Sequence, residues 1–170
     1  MFLSIKNVSL PAHYRLMKKL FIIIGVCCVL GLCGCHQPKG DKTLAKRAFT
    51  SLGWERFDFV TGELDIKKPT TYDLSLSVSF DPSYAYNHFS VVFTLFDSEG
   101  NPFRSKSYKY MVKDTDGSWK STLENGHYHF TFLINSELSI NEPCVYKCQL
   151  ESHMPITPLL GVNEVAIIYK

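Results

Sequence analysis

Between Tyr72 and Phe80 apolar and polar residues alternate without interruption: Tyr72, Leu74, Leu76, Val78 and Phe80 against Asp73, Ser75, Ser77 and Ser79. A period of two puts the first set on one face of an extended chain and the second on the other, the pattern of a strand with one buried face. The same pattern recurs downstream. Phe89, Val91, Phe93 and Leu95 share a face of Phe89–Phe96, and Val92 and Phe96 on the other face predict a central strand covered on both sides. Tyr108, Tyr110 and Val112 share a register within Phe103–Val112, with Lys106 in the same row. Trp119 heads a short strand. Tyr128, Phe130, Phe132 and Ile134 alternate with His127, His129 and Thr131. Tyr146, Cys148 and Leu150 mark a further strand, and Val165, Ile167 and Tyr169 the last. An opening strand is expected within Trp54–Ile66, where Phe57 and Phe59 alternate with Arg56 and Asp58.

Turn signals separate these segments. They include Lys67-Lys68-Pro69, Asp81-Pro82-Ser83, Asp97–Pro102 and Asp114–Gly117. Asn125-Gly126 predicts a two-residue hairpin turn, because both residues accept positive φ. Ser136–Glu142 reads as a connection or a single helical turn, and a loop holds Pro155 and Pro158. No amphipathic helix of useful length is visible. About eight short strands at this spacing predict an all-β fold, an antiparallel β-sandwich of immunoglobulin-like or jelly-roll-like type.

The first part of the chain follows a different logic. Met17-Lys18-Lys19 precedes an unbroken apolar run that starts at Leu20 and ends in Leu32-Cys33-Gly34-Cys35. A basic start, an apolar run and small residues at the end form a secretory signal. The run is too short for a comfortable membrane span, which takes about 20 apolar residues. Leu32-x-Gly34-Cys35 resembles a bacterial lipobox, in which the cysteine thiol takes a diacylglycerol and the peptidase cuts before it. A plain signal peptide and a signal anchor are the alternatives. Residues 1–16, with Pro11 and His13 and no apolar core, fit an extended n-region or, better, a true start at Met17. The expected organisation is a signal peptide over residues 1–34, a lipidated N-terminus and flexible tether over 35–50, and one β-sandwich domain over 51–170. The tether rests on the polar composition of His36–Ala48, with its Pro38 and Gly40.

Cleavage before Cys35 changes the charge. It removes Lys6, Arg15, Lys18 and Lys19, so the 18 basic residues become 14 against 16 acidic ones, and the net charge moves from +2 to near −2. That balance points away from nucleic acid as a partner. Of the six cysteines, only Cys144 and Cys148 belong to the domain. Residues four apart on a strand are separated by about 13 Å, whereas a disulfide needs Cα atoms within about 7 Å. Free, partly buried thiols are therefore expected, with a disulfide the alternative if 145–147 form a turn.

Candidate chemistry is sparse. His127 and His129 would project from one strand face about 7 Å apart and could seed a zinc site with a third ligand, but a pair falls short of the three protein ligands such a site needs, and solvent-facing polar positions account for them more simply. Asp114–Ser118 has the composition of a calcium loop but not its spacing, since aligning Gly117 with the loop glycine puts Val112 and Leu123 at ligand positions. No Gly-x-Ser-x-Gly elbow and no glycine-rich phosphate loop occur. No catalytic residue, metal ligand set or cofactor is assigned. Tyr84, Tyr86, Trp54 and Trp119 sit at predicted loops, where aromatic rings contact proteins or sugars, or else cap the core.

Several segments resemble the gliding-motility-associated lipoproteins of the GldH type. They are Tyr72-Asp73-Leu74, Tyr84-Ala85-Tyr86-Asn87-His88-Phe89 (against the family's Tyr-Pro-Tyr-x-Asn-Leu), Asp114–Trp119 (Asp-x-x-Gly-x-Trp) and Leu159–Val165 (Leu-x-Gly-Ile-x-x-Val). The resemblance runs from Trp54 to Tyr169. It departs where the family often has an arginine, here Ser79 and Phe80, and a Gly-x-Gly, here Lys120-Ser121-Thr122. It implies a non-enzymatic envelope lipoprotein tied to surface motility or its secretion apparatus, and it brings no catalytic residues. The expectation is a protein lipidated at Cys35 and held at the outer membrane of a Gram-negative envelope, on the periplasmic rather than the cell-surface side. Tyr84, Tyr86 and Trp119 are its candidate contacts with envelope proteins. A surface glycan-binding module using the same rings is the alternative.

Overall fold

The computed structural model describes residues 40–170. The signal segment and Cys35 lie outside the described residues. Within them the chain forms nine strands: β1 (Lys42–Ala48), β2 (Val60–Asp65), β3 (Thr70–Phe80), β4 (His88–Phe96), β5 (Pro102–Met111), β6 (Leu123–Glu124), β7 (His127–Ile140), β8 (Val145–Ser152) and β9 (Val162–Tyr169). A five-stranded sheet has the order β1-β9-β3-β7-β6 and a four-stranded sheet the order β2-β8-β4-β5. Every pairing is antiparallel.

The apolar faces read from the alternation are the ones that meet. Leu74, Leu76, Val78 and Phe80 of β3 and Val165 and Ile167 of β9 face Phe89, Val91, Phe93 and Leu95 of β4 and Tyr146, Cys148 and Leu150 of β8, each at most 2% exposed. Burying such a side chain contributes about 1.5–3 kcal/mol, which makes this layer the main source of stability. Asn125 and Gly126, at φ 51° and 86°, join β6 to β7 with Glu124 opposite His127, the two-residue hairpin that the Asn-Gly pair predicts.

Four expectations are corrected. The tether does not extend to residue 50, because Lys42–Ala48 is strand β1, paired with β9 from Lys42↔Tyr169 to Ala48↔Glu164. The stretch reads as polar because an edge strand buries little: Ala45 is 7% exposed and Leu44 half-buried, while the basic side chains point to solvent and Lys46 pairs with Glu164 at 2.8 Å. The strand expected to open the fold within Trp54–Ile66 is the second, β2, and it starts at Val60 rather than among the phenylalanines. Phe57 lies in a turn with φ 65° and is 74% exposed, whereas Trp54 is buried. Ser136–Ile140 is not a connection but the continuation of β7 through an irregularity opposite Tyr72–Leu74, where Glu137 takes φ 54° and donates its N–H to Asp73 Oδ1 at 2.9 Å. Finally, β4 is central in its sheet but covered on one face only, since Val92 and Phe96 are half-buried.

The two lateral openings of the sandwich are closed differently. On one side β1 lies directly against β2: a Cβ on Gly62 would meet the Leu44 carbonyl oxygen at 2.5 Å. On the other side β5, the edge of the smaller sheet, meets β7 near the edge of the larger one. There the closure is aromatic.

Candidate interaction surface

Two registers bring the rings together. Phe89 pairs with Tyr110 and Val91 with Tyr108, so those tyrosines point the same way as the core face of β4. Val78 pairs with Phe130 and Leu76 with Phe132, so these point inward from β7. Because both strands lie at the margin of the sandwich, their rings meet at the rim instead of in the middle. Tyr110 stacks on Phe132 at 4.2 Å between centroids and 9° between planes, with Tyr108 parallel at 5.9 Å on Tyr110 and Phe130 at 5.4 Å on Phe132. The Tyr108 hydroxyl donates to the Ile134 carbonyl at 2.7 Å, and that of Tyr110 to the Leu133 carbonyl at 3.1 Å. Burial raises the pKa of both phenols above the ordinary tyrosine value.

The row continues at the end of the sandwich. The turn Asp114–Ser118 closes with the Asp114 N–H on the Ser118 carbonyl at 2.8 Å and the Gly117 N–H on the Asp114 carbonyl at 3.0 Å. Asp116 Oδ1 accepts from the Ser118 N–H at 2.9 Å and hydroxyl at 2.6 Å, and these bonds hold its carboxyl below the usual range. That carboxylate is therefore spent on the turn. A bridge between Lys113 and Trp119 then lays the indole against the rim. Trp119 stacks on Tyr128 at 4.1 Å and 11°, touches Phe130 at 6.2 Å, and carries the Lys113 ammonium 4.4 Å over its ring. Tyr86 joins through Tyr84 at 5.6 Å. Tyr86, Tyr108, Tyr110, Trp119, Tyr128, Phe130 and Phe132 are all half-buried, a continuous seam with one margin wet.

Of the predicted contact residues, Tyr86 and Trp119 lie on this seam and Tyr84 does not offer its ring to a partner. Tyr84 is 1% exposed, packs on Phe80 at 4.6 Å, and donates its hydroxyl to the His88 carbonyl at 2.7 Å. Burial pushes its phenol well above the ordinary value. Its position explains Gly161 of the closing motif, where a Cβ would sit 2.7 Å from the Tyr84 Cα. Tyr84 is the peg on which Tyr86 and Trp119 are set. Trp54 is likewise core: it stacks on Phe49 at 4.8 Å and is bridged to Leu159. The rings that loop-by-loop reading missed, Tyr108, Tyr110, Tyr128, Phe130 and Phe132, were visible only as alternating strand residues. Their one signal is aromatic density at every second position of two strands.

The remaining candidates stay apart. The His127 and His129 rings lie 6.4 Å apart, edge to face, and no set of three His, Cys, Asp or Glu residues converges to hold a metal ion among the described residues. Cys144 and Cys148 are free thiols, and burial pushes the Cys148 thiol up to about 12.

No curated protein matches the chain. Among solved structures it is similar to a ruminal GH26 endo-β-1,4-mannanase, at 10% identity and a TM-score of 0.37 over 80% of this chain and 20% of that one. The chain thus spans about a fifth of the mannanase's length. It is also similar to Xyl-CBM35 solved with a disaccharide containing glucuronic acid, at 9% identity and a TM-score of 0.41 over 79% of this chain and 82% of that one. A third similar structure is CBM35 from Cellvibrio japonicus Abf62, at 9% identity and a TM-score of 0.41 over 76% and 91%. The family described as GldH lipoprotein matches residues 44–168, from β1 to β9 and so across the whole sandwich. This chain belongs to the GldH lipoprotein family.

Proposed function

We propose that this lipoprotein is a non-enzymatic assembly component of the cell envelope, anchored through lipid on Cys35 and docking on an envelope protein through its aromatic seam. Family membership supports the lipoprotein and gliding-motility context. The single observation that carries the docking reading is the seam itself, a row of half-buried rings running from β5 across β7 to Trp119 and Tyr86. Tyr and Trp with one side apolar and one side wet are the residues that dominate protein interfaces.

Ring orientation favours a protein over a sugar. A glycan platform needs free ring faces. Here Tyr110 has Phe132 parallel at 4.2 Å and Tyr108 parallel at 5.9 Å, and Trp119 has Tyr128 at 4.1 Å and an ammonium at 4.4 Å. Stacked faces of Tyr110, Phe132 and Trp119 are already occupied by neighbouring rings, which leaves less flat surface for a sugar and suits packing by apolar side chains. In this reading the lipid holds the domain at the outer membrane, on the periplasmic side, where a partner within the envelope is within reach.

The test is crosslinked purification of the intact lipoprotein from its own envelope, followed by mass spectrometry. The expected result is recovery of envelope machinery by wild type and its loss in a Tyr86→Ser, Tyr128→Ser variant that melts like wild type. Equal recovery by both would remove the seam as docking surface. Binding on a glycan array, lost in the same variant, would move the reading to sugar.

A further inference from the structure

The seam runs beside an open sheet edge. Among the described residues the backbone of β5 pairs with β4 alone, and of its residues only Tyr108 and Tyr110 are half-buried, the others being exposed. Its outer side therefore carries a row of unpaired backbone N–H and C=O groups. The other edges are not comparable. β1 and β2 lie against each other at Gly62. Along β7 the carbonyls of His129, Leu133 and Ile134 accept hydroxyls from Ser121, Tyr110 and Tyr108.

The free edge is basic, although the mature domain carries a net negative charge. Arg104 and Lys106 share a face with Tyr108 and Tyr110, and Lys109 lies on the opposite face. None of the three is in an ion pair among the described residues, so their charge is not neutralised within the fold. Lys106 instead has its ammonium 5.1 Å over the Tyr108 ring.

We propose that β5 takes an extended acidic segment of the docking partner as an added strand. Backbone hydrogen bonds would supply affinity and alternate side chains the register. The segment fitting this edge has two acidic residues at alternate positions, opposite Arg104 and Lys106. Added antiparallel, as every strand pair of this fold is, the segment carries an apolar or aromatic residue two positions before them, which meets Tyr108 at the head of the seam. Charge selects this occupant. A second copy would set two cationic rows side by side, and lysine-bearing edges resist such self-pairing. A neutral strand would leave the cations without partners.

The inference rests on the docking reading above, and its test separates the two. The probe is a fluorescein-labelled peptide of alternating threonine with a phenylalanine and then two glutamates, titrated onto the intact lipoprotein in detergent, beside a version with lysines for the glutamates. The glutamate peptide is expected to bind, to slow amide exchange within β5, and to weaken about tenfold or more against Arg104→Glu, Lys106→Glu. That variant is exposed at both sites and is expected to melt like wild type and to accept the lysine peptide. Failure of the glutamate peptide to bind, equal binding of both peptides, or protection away from β5 would overturn the proposal. In the envelope crosslinking experiment, a charge-reversed variant that keeps the partners lost by Tyr86→Ser, Tyr128→Ser sinks strand addition and leaves docking standing. If neither variant loses partners, the docking reading falls with it.

Discussion

Single residues show where the packing is least forgiving. Gly161 is required twice over, by φ 80° and by the 2.7 Å approach of the Tyr84 Cα to any added Cβ. Gly100 shares the positive φ but faces open space. Gly100→Ala is therefore expected to cost about 1 kcal/mol and Gly161→Ala at least about 2 kcal/mol beyond that, as read by urea unfolding. Tyr84 makes a pH prediction. Burial raises its folded-state pKa above that of the unfolded chain, so above pH about 10 the unfolded state releases a proton that the folded state keeps. Stability is then lost as pH rises, by about 1.4 kcal/mol per pH unit for each such phenol. Tyr84→Phe is expected to lower stability near neutrality, because the His88 carbonyl loses its donor, and to flatten the fall above pH 10. Unfolding curves across that range check both signs. Cys148, its thiol pushed up to about 12 by burial, is expected to resist iodoacetamide at pH 8 while half-buried Cys144 is modified, and to react only on unfolding.

Elements were legible where burial is one-sided and long. β3 and β4 alternate so cleanly that their inward faces follow from the chain alone, and Asn125-Gly126 names its own turn. β1 was not legible, because a strand that buries Ala45 and half of Leu44 leaves no period of two above the noise of its lysines. The end of β7 was hidden for another reason. Asn135, Ser136 and Glu137 are polar at three successive positions around the irregularity, so the alternation is interrupted, although Ile134, Leu138 and Ile140 are all buried and pairing with β3 continues. The strand reading of β1 differs measurably from a tether. Ala45→Asp would put an unpaired carboxylate at a site 7% exposed beneath Gly62, at a cost of about 2 kcal/mol or more, whereas in a tether it would cost nothing. Thermal melting of this variant against Lys42→Asp, at an exposed end of the same strand, distinguishes them.

For the whole molecule, family membership and the sandwich agree on extent. The match over residues 44–168 begins inside β1, ten residues before the Trp54 from which the resemblance was read, and this puts β1 in the domain. The anchor proposed at Cys35 is a separate matter of covalent chemistry, outside the described residues. Cys35→Ser is expected to abolish labelling by radioactive palmitate and to leave the unprocessed chain. A labelled Cys35→Ser protein would place the lipid elsewhere. The candidate surface was half legible. Tyr86 and Trp119 stood out as loop aromatics, while Tyr84, which looked the same, is the buried peg behind them. Nothing in a loop sequence distinguishes a ring aimed at solvent from one aimed at Phe80.

The amino-acid sequence by itself determined the strand class, the inward faces of the long strands, the hairpin at Asn125-Gly126 and the family, because alternation, turn chemistry and short motifs are local properties. Tertiary structure alone decided that β1 closes one side of the sandwich, that β5 is left as a free cationic edge, and that rings from β5, β7 and the Trp119 turn form one seam. Those facts depend on which strands become sheet neighbours. Neighbours are chosen by the burial of whole faces against each other, a free energy summed over residues far apart in the chain.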